Sequence, residues 1–356
     1  MQKIKNIWHF FEAVFWNVYY GFPAKKLTVV GVTGTDGKTT TVNLIHHILL
    51  TAGLKVGIWS TISSAHTTTP TPKTLQKFLA SGVNKNWTHV VLEVSSHAID
   101  QNRIWGIPFA VGVLTNIANN EHLDYHKTFE NYKNTKLNWL KTCKKQVRWG
   151  QVSFEFKTKL LGEFNRQNCL SAIGAAQVLG ISSEIIKKAM ASFEVPPGRQ
   201  EMVVEKPFKV IVDFAHTPQA FEHLLPVVKR LGKRVIHVFG CTGDRDKGKR
   251  PIMGEIASKY DDIIILTHED TYSENPRQII DQIKKGLQAG RHLDLQVFEI
   301  MDRKEAIKKA LQLAKPGDVV IITGVGHQRS LNIGGREVSW SDQETVKDLI
   351  KFLPKS

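Results

Sequence analysis

The chain has 356 residues, 42% apolar and 23% charged, a globular composition with length enough for two domains. Basic residues exceed acidic ones by 48 − 33 = +15 and are spread along the chain rather than gathered in a tail. A solvated basic surface, a phosphorylated substrate or an anionic membrane face all fit that charge, and no specific nucleic-acid partner is expected. No apolar run nears the roughly 18 residues that span a bilayer, and Cys143, Cys169 and Cys241 lack metal or disulfide spacing, which fits a reducing cytoplasm.

The first 22 residues place Ile4, Trp8, Phe10, Phe11, Val14, Phe15 and Val18 among Lys3, Lys5, His9 and Glu12. Glu12 and Asn17 interrupt the apolar core and no small-residue cleavage site follows, so a signal peptide is not expected. Positions 8, 11, 15 and 18 recur at helical spacing. They predict an amphipathic helix packed on its own protein, with docking on an anionic membrane surface or a partner protein as the alternative.

Next comes the apolar run Leu27-Thr28-Val29-Val30, followed by Gly31-Val32-Thr33-Gly34-Thr35-Asp36-Gly37-Lys38-Thr39-Thr40-Thr41 and a helical stretch from Val42 to Leu50. Strand, glycine loop ending in Lys-Thr and helix together make a nucleoside triphosphate cradle. Backbone N–H groups of Gly34, Thr35, Asp36, Gly37 and Thr40 and the helix N-terminus face phosphates, Lys38 reaches the β- and γ-phosphates, and the Thr39 hydroxyl takes Mg²⁺. Five residues separate Gly31 from Gly37 where the usual loop has four, so Gly34 and Gly37 are expected to make the turn. ATP is the expected ligand.

Buried strands are predicted at 90–94 and 111–116, with helices at 131–142, 166–180 and 183–193. Phe193 to Arg199 reads as a linker through Pro196-Pro197-Gly198. Strands at 210–213, 235–240, 263–267 and 319–324 then form a second alternating series. The chain is read as α/β: an N-terminal aromatic helix over 1–26, a central P-loop ATPase domain with a parallel sheet over 27–195, and a C-terminal Rossmann-like domain over 196–356.

Several further motifs stand in order. Glu93-Val94-Ser95-Ser96-His97-Ala98 ends one strand, and Thr115-Asn116-Ile117 with Glu121-His122-Leu123-Asp124-Tyr125-His126 ends the next. Gly162-Glu163-Phe164-Asn165-Arg166-Gln167-Asn168 opens a helix. Asp213-Phe214-Ala215-His216-Thr217-Pro218 and the charged run from Gly240 to Pro251 follow. From about Leu27 to Asp342 the series resembles the Mur ligases of peptidoglycan synthesis, most of all the branch that adds the third amino acid.

The resemblance implies an ADP-forming ligase that phosphorylates a muramoyl-peptide carboxylate and couples it to a free amino acid. Its implied Mg²⁺ ligands are Thr39, Glu93 and His122. Lys136 matches the family lysine that takes up CO₂ to become a carbamate metal ligand, although the bare sequence would make it a surface lysine. With Lys38 these are the implied catalytic residues. Thr68, Thr69, Ser95, Gln101 and Arg103 match donor-holding positions, Asn165 and Asn168 flank adenine in the family, and Arg199 and Asp213 match contacts to phosphate and ribose. Asp244, Arg245 and Lys249 read either as ligands or as a charge-laced loop.

Two departures shape the expectation. The family's first domain, which holds uridine diphosphate, has no counterpart in the 26 residues before the ATP strand. Diaminopimelate-adding members carry Asp-Asn-Pro-Arg where this chain has Glu269-Asp270-Thr271-Tyr272, and Gly-Lys-Gly-His-Glu where it has Gly324-Val325-Gly326-His327-Gln328. Without the arginine fork a distal carboxylate is poorly held. Glu269, Asp270 and Gln328 then favour an ammonium-bearing or small neutral residue. The competing readings are a ligase for a non-wall acceptor, as in folylpolyglutamate or cyanophycin synthesis, and an idle nucleotide-binding partner protein. The expected location is cytoplasmic, peripheral to the inner membrane face if residues 1–22 dock there.

Overall fold

The computed structural model describes residues 2–63, 68–118, 123–290 and 294–352. The chain divides into two compact units, Met1–Glu194 and Val195–Ser356. Unit 1 opens with helix α1 (Gln2–Tyr19). It continues β1 (Thr28–Thr33), α2 (Lys38–Thr51), β2 (Val56–Trp59), α3 (Pro72–Asn84), β3 (His89–Glu93), α4 (Ser96–Asp100), β4 (Phe109–Leu114), α5 (Leu123–His126), α6 (Phe129–Thr142), β5 (Lys145–Arg148), α7 (Glu163–Val178) and α8 (Ser183–Ser192).

The five strands form a wholly parallel sheet in the order β2-β3-β1-β4-β5. Its central strands are continuous apolar runs because both faces are covered. Val29, Val90, Leu92 and Phe109 pack with Leu75 and Leu79 of α3 and Trp139 and Leu140 of α6, while α2 and α7 pack along the strands as well. Gly31 is required at the centre, since a Cβ there would sit 2.7 Å from both the Phe109 and Trp139 rings.

Unit 2 contains β6 (Glu201–Val204), β7 (Lys209–Val212), α9 (Pro218–Lys229), β8 (Val235–Phe239), α10 (Lys249–Tyr260), β9 (Ile263–Leu266), α11 (Pro276–Gly290), β10 (Gln296–Glu299), α12 (Arg303–Leu313), β11 (Val319–Ile322), β12 (Ser330–Ile333), β13 (Arg336–Ser339) and α13 (Asp342–Ile350). Its sheet runs β10-β9-β8-β11-β7-β6, parallel except for the antiparallel edge strand β6. One face is buried under α9, α10 and α11 and the other under α12 and α13. A separate hairpin, β12–β13, turns on Gly334 and Gly335, both at positive φ as a two-residue turn demands.

The strands read from sequence are all present, with ends within three residues of the reading. Six were not read: β2, β5, β6 and β10, which are the four edges of the two larger sheets, and the hairpin strands β12 and β13. Edge strands are flanked on one side only, so short mixed segments such as Lys145-Gln146-Val147-Arg148 suffice there.

Candidate active site

Three strand ends converge at the carboxyl edge of the unit 1 sheet, where open α/β sheets bind ligands. β1 delivers the glycine loop, β3 delivers Glu93 and β4 delivers Thr115 and Asn116. The two loop glycines are fixed by their neighbours. A Cβ on Gly34 would lie 1.9 Å from Thr115 Oγ1, and one on Gly37 would lie 2.1 Å from Asn168 Oδ1. Gly37 also stands at φ +78° as the N-cap of α2.

The loop is tied to the end of β4. Thr35 N–H donates to both Asn116 O (3.0 Å) and Oδ1 (3.1 Å), Asp36 N–H donates to Oδ1 (2.9 Å), and Thr115 Oγ1 donates to Asp36 O (2.6 Å). Thr35 Oγ1 lies 2.9 Å from Tyr132 Oη and accepts from Ala118 N–H. None of these partners had been singled out as a site residue from the sequence. The signal was there: Thr115-Asn116 closes a central strand beside β1.

Two ammonium groups share the loop. Lys38 Nζ donates to Thr35 O (2.6 Å) and Gly34 O (3.1 Å). Lys136 Nζ donates to Gly34 O (2.8 Å) and Thr33 Oγ1 (3.3 Å) and lies 4.7 Å from the centre of the Tyr132 ring. The bare-sequence picture of Lys136 as a surface lysine is corrected here, because it is 1% exposed. On α6 it shares a stripe with Tyr132, Trp139 and Leu140, at i−4, i+3 and i+4, all buried.

Beside the loop, Thr39 Oγ1 lies 3.2 and 3.1 Å from the two oxygens of Glu93. The buried Glu93 carboxylate also accepts from Thr61 N–H (2.9 Å) and Thr61 Oγ1 (3.0 Å). A hydroxyl and a carboxylate converging in this way are the oxygen donors that Mg²⁺ takes. His122 lies outside the described residues. Thr40 is buried within the first turn of α2. Asn165 and Asn168 sit one turn apart on α7, joined by Asn168 Nδ2 to Asn165 Oδ1 (3.2 Å), and Asn165 Nδ2 donates to Leu161 O. This places Asn168 against Gly37 of the phosphate loop.

The donor-binding candidates form one hydrogen-bonded series. Thr69 Oγ1 donates to Glu93 O and accepts from Ser95 N–H, each at 2.9 Å. Ser95 caps α4. Arg103 donates through Nη1 to Thr69 O (3.2 Å) and through Nε to Gln101 Oε1 (2.7 Å), and Gln101 Nε2 donates to Tyr125 Oη (3.2 Å). Tyr125 donates to Asp100 Oδ2 (2.7 Å), which also accepts from Asn6 of α1 (2.8 Å). Burial first, then the Asp100 carboxylate, pushes the Tyr125 phenol up to about 12. Thr68 Oγ1 is 3.5 Å from Thr61 Oγ1.

In unit 2 the loops after β7, β8, β9 and β11 also emerge at a carboxyl edge. Asp213 accepts from Ala215 N–H (2.6 Å) and Gln200 N–H (2.7 Å), and the Arg199 guanidinium lies 4.5 Å from the centre of the Phe214 ring. Asp244 accepts from the Ser273 N–H and hydroxyl, and Lys249 Nζ donates to His216 O. Arg250, wholly buried, forks onto Glu274 and holds that carboxyl down at about 2.

Glu269 is 3% exposed. Its Oε1 accepts from Thr242 Oγ1 (2.6 Å), while Oε2 is buried without a hydrogen-bond partner among the described residues. Burial raises its pKa against the opposing pull of Lys249. Gly324, at φ +101°, makes room for Oε2: a Cβ there would be 2.5 Å away. Gln328 Oε1 is likewise buried without a partner among the described residues. Asp270 Oδ1 instead accepts from Asn332 N–H (2.7 Å) and ties β12 to the β9 loop.

The chain has relatives among known families and solved structures. Residues 32–149 match the Mur ligase middle domain, and residues 198–326 match the Mur ligase glutamate ligase domain. The chain is 35% identical to UDP-N-acetylmuramoyl-L-alanyl-D-glutamate–2,6-diaminopimelate ligase 1 of Clostridium acetobutylicum, over 94% of this chain and 80% of that protein. A solved structure of a UDP-N-acetylmuramoyl-L-alanyl-D-glutamate–2,6-diaminopimelate ligase aligns at TM-score 0.59 and 28% identity, over 91% of this chain and 78% of the other. Escherichia coli FolC with ADP shares the fold at TM-score 0.70 and 19% identity, over 96% of this chain and 92% of that one.

Proposed function

We infer that this chain, which belongs to the Mur ligase family, is an ATP-dependent acid–amino-acid ligase that extends a muramoyl-peptide precursor of peptidoglycan by one residue. The observation that carries the reading is the gathering of Lys38, Thr39, Glu93 and Lys136 around one phosphate loop. An idle nucleotide-binding protein has no need of the last two. Identity of 35% to a muramoyl-dipeptide ligase, against 19% to FolC, also disfavours a non-wall acceptor.

In the proposed reaction the loop N–H groups and the α2 N-terminus hold the ATP phosphates, and Lys38 turns from its loop carbonyls to the β- and γ-phosphates. Arg103, with Gln101, Thr68, Thr69 and Ser95, holds the donor. The donor carboxylate oxygen attacks the γ-phosphorus, a P–O bond forms, and ADP leaves. The amine of the incoming residue then attacks the acyl carbon, a C–N bond forms, inorganic phosphate departs, and the amine sheds a proton. Asn165 and Asn168 are the proposed neighbours of the adenine, and Arg199 and Asp213 are family-matched candidates for contacts to phosphate and ribose.

Thr39 and Glu93 fit Mg²⁺, with His122 as the expected third ligand. Mg²⁺ supplies charge neutralisation where a carboxylate meets a triphosphate. Lys136 is the proposed carbamate. As an ammonium it donates to Gly34 O; loss of one proton gives the amine that bonds the CO₂ carbon, and loss of a second leaves a carbamate anion that could take metal.

For the added residue, Glu269 Oε2 is the proposed partner of a side-chain ammonium, with Gln328 Oε1 as a neutral acceptor. Lysine or ornithine is preferred over diaminopimelate on this reading, in contrast with the activity named for the C. acetobutylicum relative. The free, buried cysteines suit work in the cytoplasm. The test is ADP release with ATP, Mg²⁺, UDP-muramoyl dipeptide and a panel of amino acids. Release that depends on both the dipeptide and an amino acid is expected. Release without either, or none with any of the panel, overturns the reading.

A further inference from the structure

Helix α1 has two unlike sides. On the inner side Asn6 Nδ2 donates to Asp100 O and Oδ2, Asn17 Nδ2 donates to Trp105 O (2.9 Å), and Phe10 meets Trp105 edge to face at 5.4 Å. These bonds fix the rotation of the helix on unit 1. Consequently Ile7, Trp8, Phe11, Phe15, Val18 and Tyr19 face outward, each 57–69% exposed. At 3.6 residues per turn they fall within an arc of roughly 120°, one continuous apolar and aromatic face. A face of this kind calls for an occupant.

The charge around it narrows the choice. Residues 2–26 and 71–85, which cover α1, the turn after it and the neighbouring α3, contain Lys3, Lys5, Lys25, Lys26, Lys73, Lys77 and Lys85 but only one acid, so 7 − 1 = +6. That acid, Glu12, is half-buried and sits 3.2 Å from His9. Lys5, Lys25, Lys26, Lys73 and Lys77 are exposed. Protein interfaces are depleted in lysine, whereas tryptophan, tyrosine and phenylalanine ringed by lysine suit the headgroup level of an anionic leaflet. No helix among the described residues is long and apolar enough to cross a membrane.

We propose that the outer face of α1 docks unit 1 on an anionic phospholipid bilayer. The aromatic side chains enter the headgroup region, and Lys5 of α1, Lys25 and Lys26 of the turn and Lys73 and Lys77 of α3 meet the lipid phosphates. The helix lies along the surface, since its other side is bonded to the protein.

The test is flotation of the full chain with phosphatidylglycerol-containing vesicles and with pure phosphatidylcholine vesicles. Binding to the anionic vesicles alone is expected, falling as salt approaches ~1 M, where the screening length is about 3 Å. Trp8→Ser/Phe11→Ser should lose binding more than tenfold. Lys25→Gln/Lys26→Gln should weaken it roughly thirty-fold, about 1 kcal/mol per lysine. Both variants change exposed side chains, so ADP release in vesicle-free solution should be unchanged. No flotation overturns the proposal, as does equal binding to both vesicle types. A concentration-dependent dimer that Trp8→Ser/Phe11→Ser dissolves, without flotation, would assign the face to self-association instead.

Discussion

The carboxyl edge of unit 1 and that of unit 2 are built on the same strand–loop plan and differ in how their buried glutamates are paired: Glu93 accepts at both oxygens and Glu269 at one. In unit 1 the glycine loop is tied to Asn116, and Thr39, Glu93, Thr69 and Arg103 are joined in a hydrogen-bonded series. In unit 2 two buried acceptors, Glu269 Oε2 and Gln328 Oε1, stand without partners among the described residues. Phosphoryl transfer makes the same demand of every member of a ligase family, so its site tolerates little change. The choice of amine is where members diverge, and a buried acceptor without a protein partner is a group that a ligand or a water can satisfy.

Substitutions in the unit 1 set should therefore be felt by every substrate. The largest effect is expected from Lys136→Ala, which should abolish ligation while ATP still binds. Short carboxylic acids should restore part of the activity if a carboxylate-like group is what is missing. Wild-type turnover in the unrescued variant would remove Lys136 from the chemistry. Next, Thr39→Ala and Glu93→Gln should each slow ADP formation on the order of 10²-fold or more, with a raised Mg²⁺ requirement. An unchanged Mg²⁺ titration in both would show that this pair holds no metal.

Substitution in unit 2 should instead discriminate between amines. Glu269→Gln should lower kcat/KM for lysine roughly thirty-fold, about 2 kcal/mol, because a buried ammonium loses its charged partner, and should leave KM for ATP alone. If diaminopimelate outperforms lysine in the wild type, the pocket reading fails and an arginine from elsewhere must clamp it. Arg329 is a weak candidate, since it pairs with Glu344 at the surface.

The same variant has a pH signature. Burial raises the folded-state pKa of Glu269 above its unfolded value. Its stabilising contribution is thus present below the ordinary carboxylate range and is lost as pH rises through the folded pKa. Ligand-free Glu269→Gln should melt above the wild type at neutral pH, with the gap closing in acid. A variant less stable at neutral pH would mean that the carboxylate is paired. The smallest effect belongs to Tyr125→Phe, which removes the bond to Asp100 and should raise KM for the donor about threefold while leaving kcat unchanged, from a lost bond of about 0.5–1.5 kcal/mol. A fall in kcat with unchanged KM would refute a role in seating Gln101 and Arg103.

What the sequence disclosed follows from how each segment is covered. Central strands such as Val90 to Glu93 and Val319 to Ile322 are apolar throughout because helices lie on both faces, and they were legible. The four edge strands were not, because an edge needs so little apolar sequence. Of the site, Lys38, Thr39 and Glu93 were legible from motif and strand end. Lys136 was suggested by resemblance alone, although the stripe of Tyr132, Trp139 and Leu140 places it on a buried face. Asn116 and Thr61 act through backbone and side-chain contacts to residues distant in sequence, which no local pattern encodes.

The cross-ties from Thr115 and Asn116 to Thr35 and Asp36 also bear on how fast nucleotide is captured. A phosphate loop that must first fold around its ligand shows a slow step whose rate levels off as ligand concentration rises. Here the loop is bonded in place to β4 as part of folding, and preorganisation of this kind removes the ordering step from association. Nucleotide binding followed by stopped flow should accordingly be a single phase whose rate climbs linearly with nucleotide, and Asn116→Ala should be the change that bends that line into a plateau.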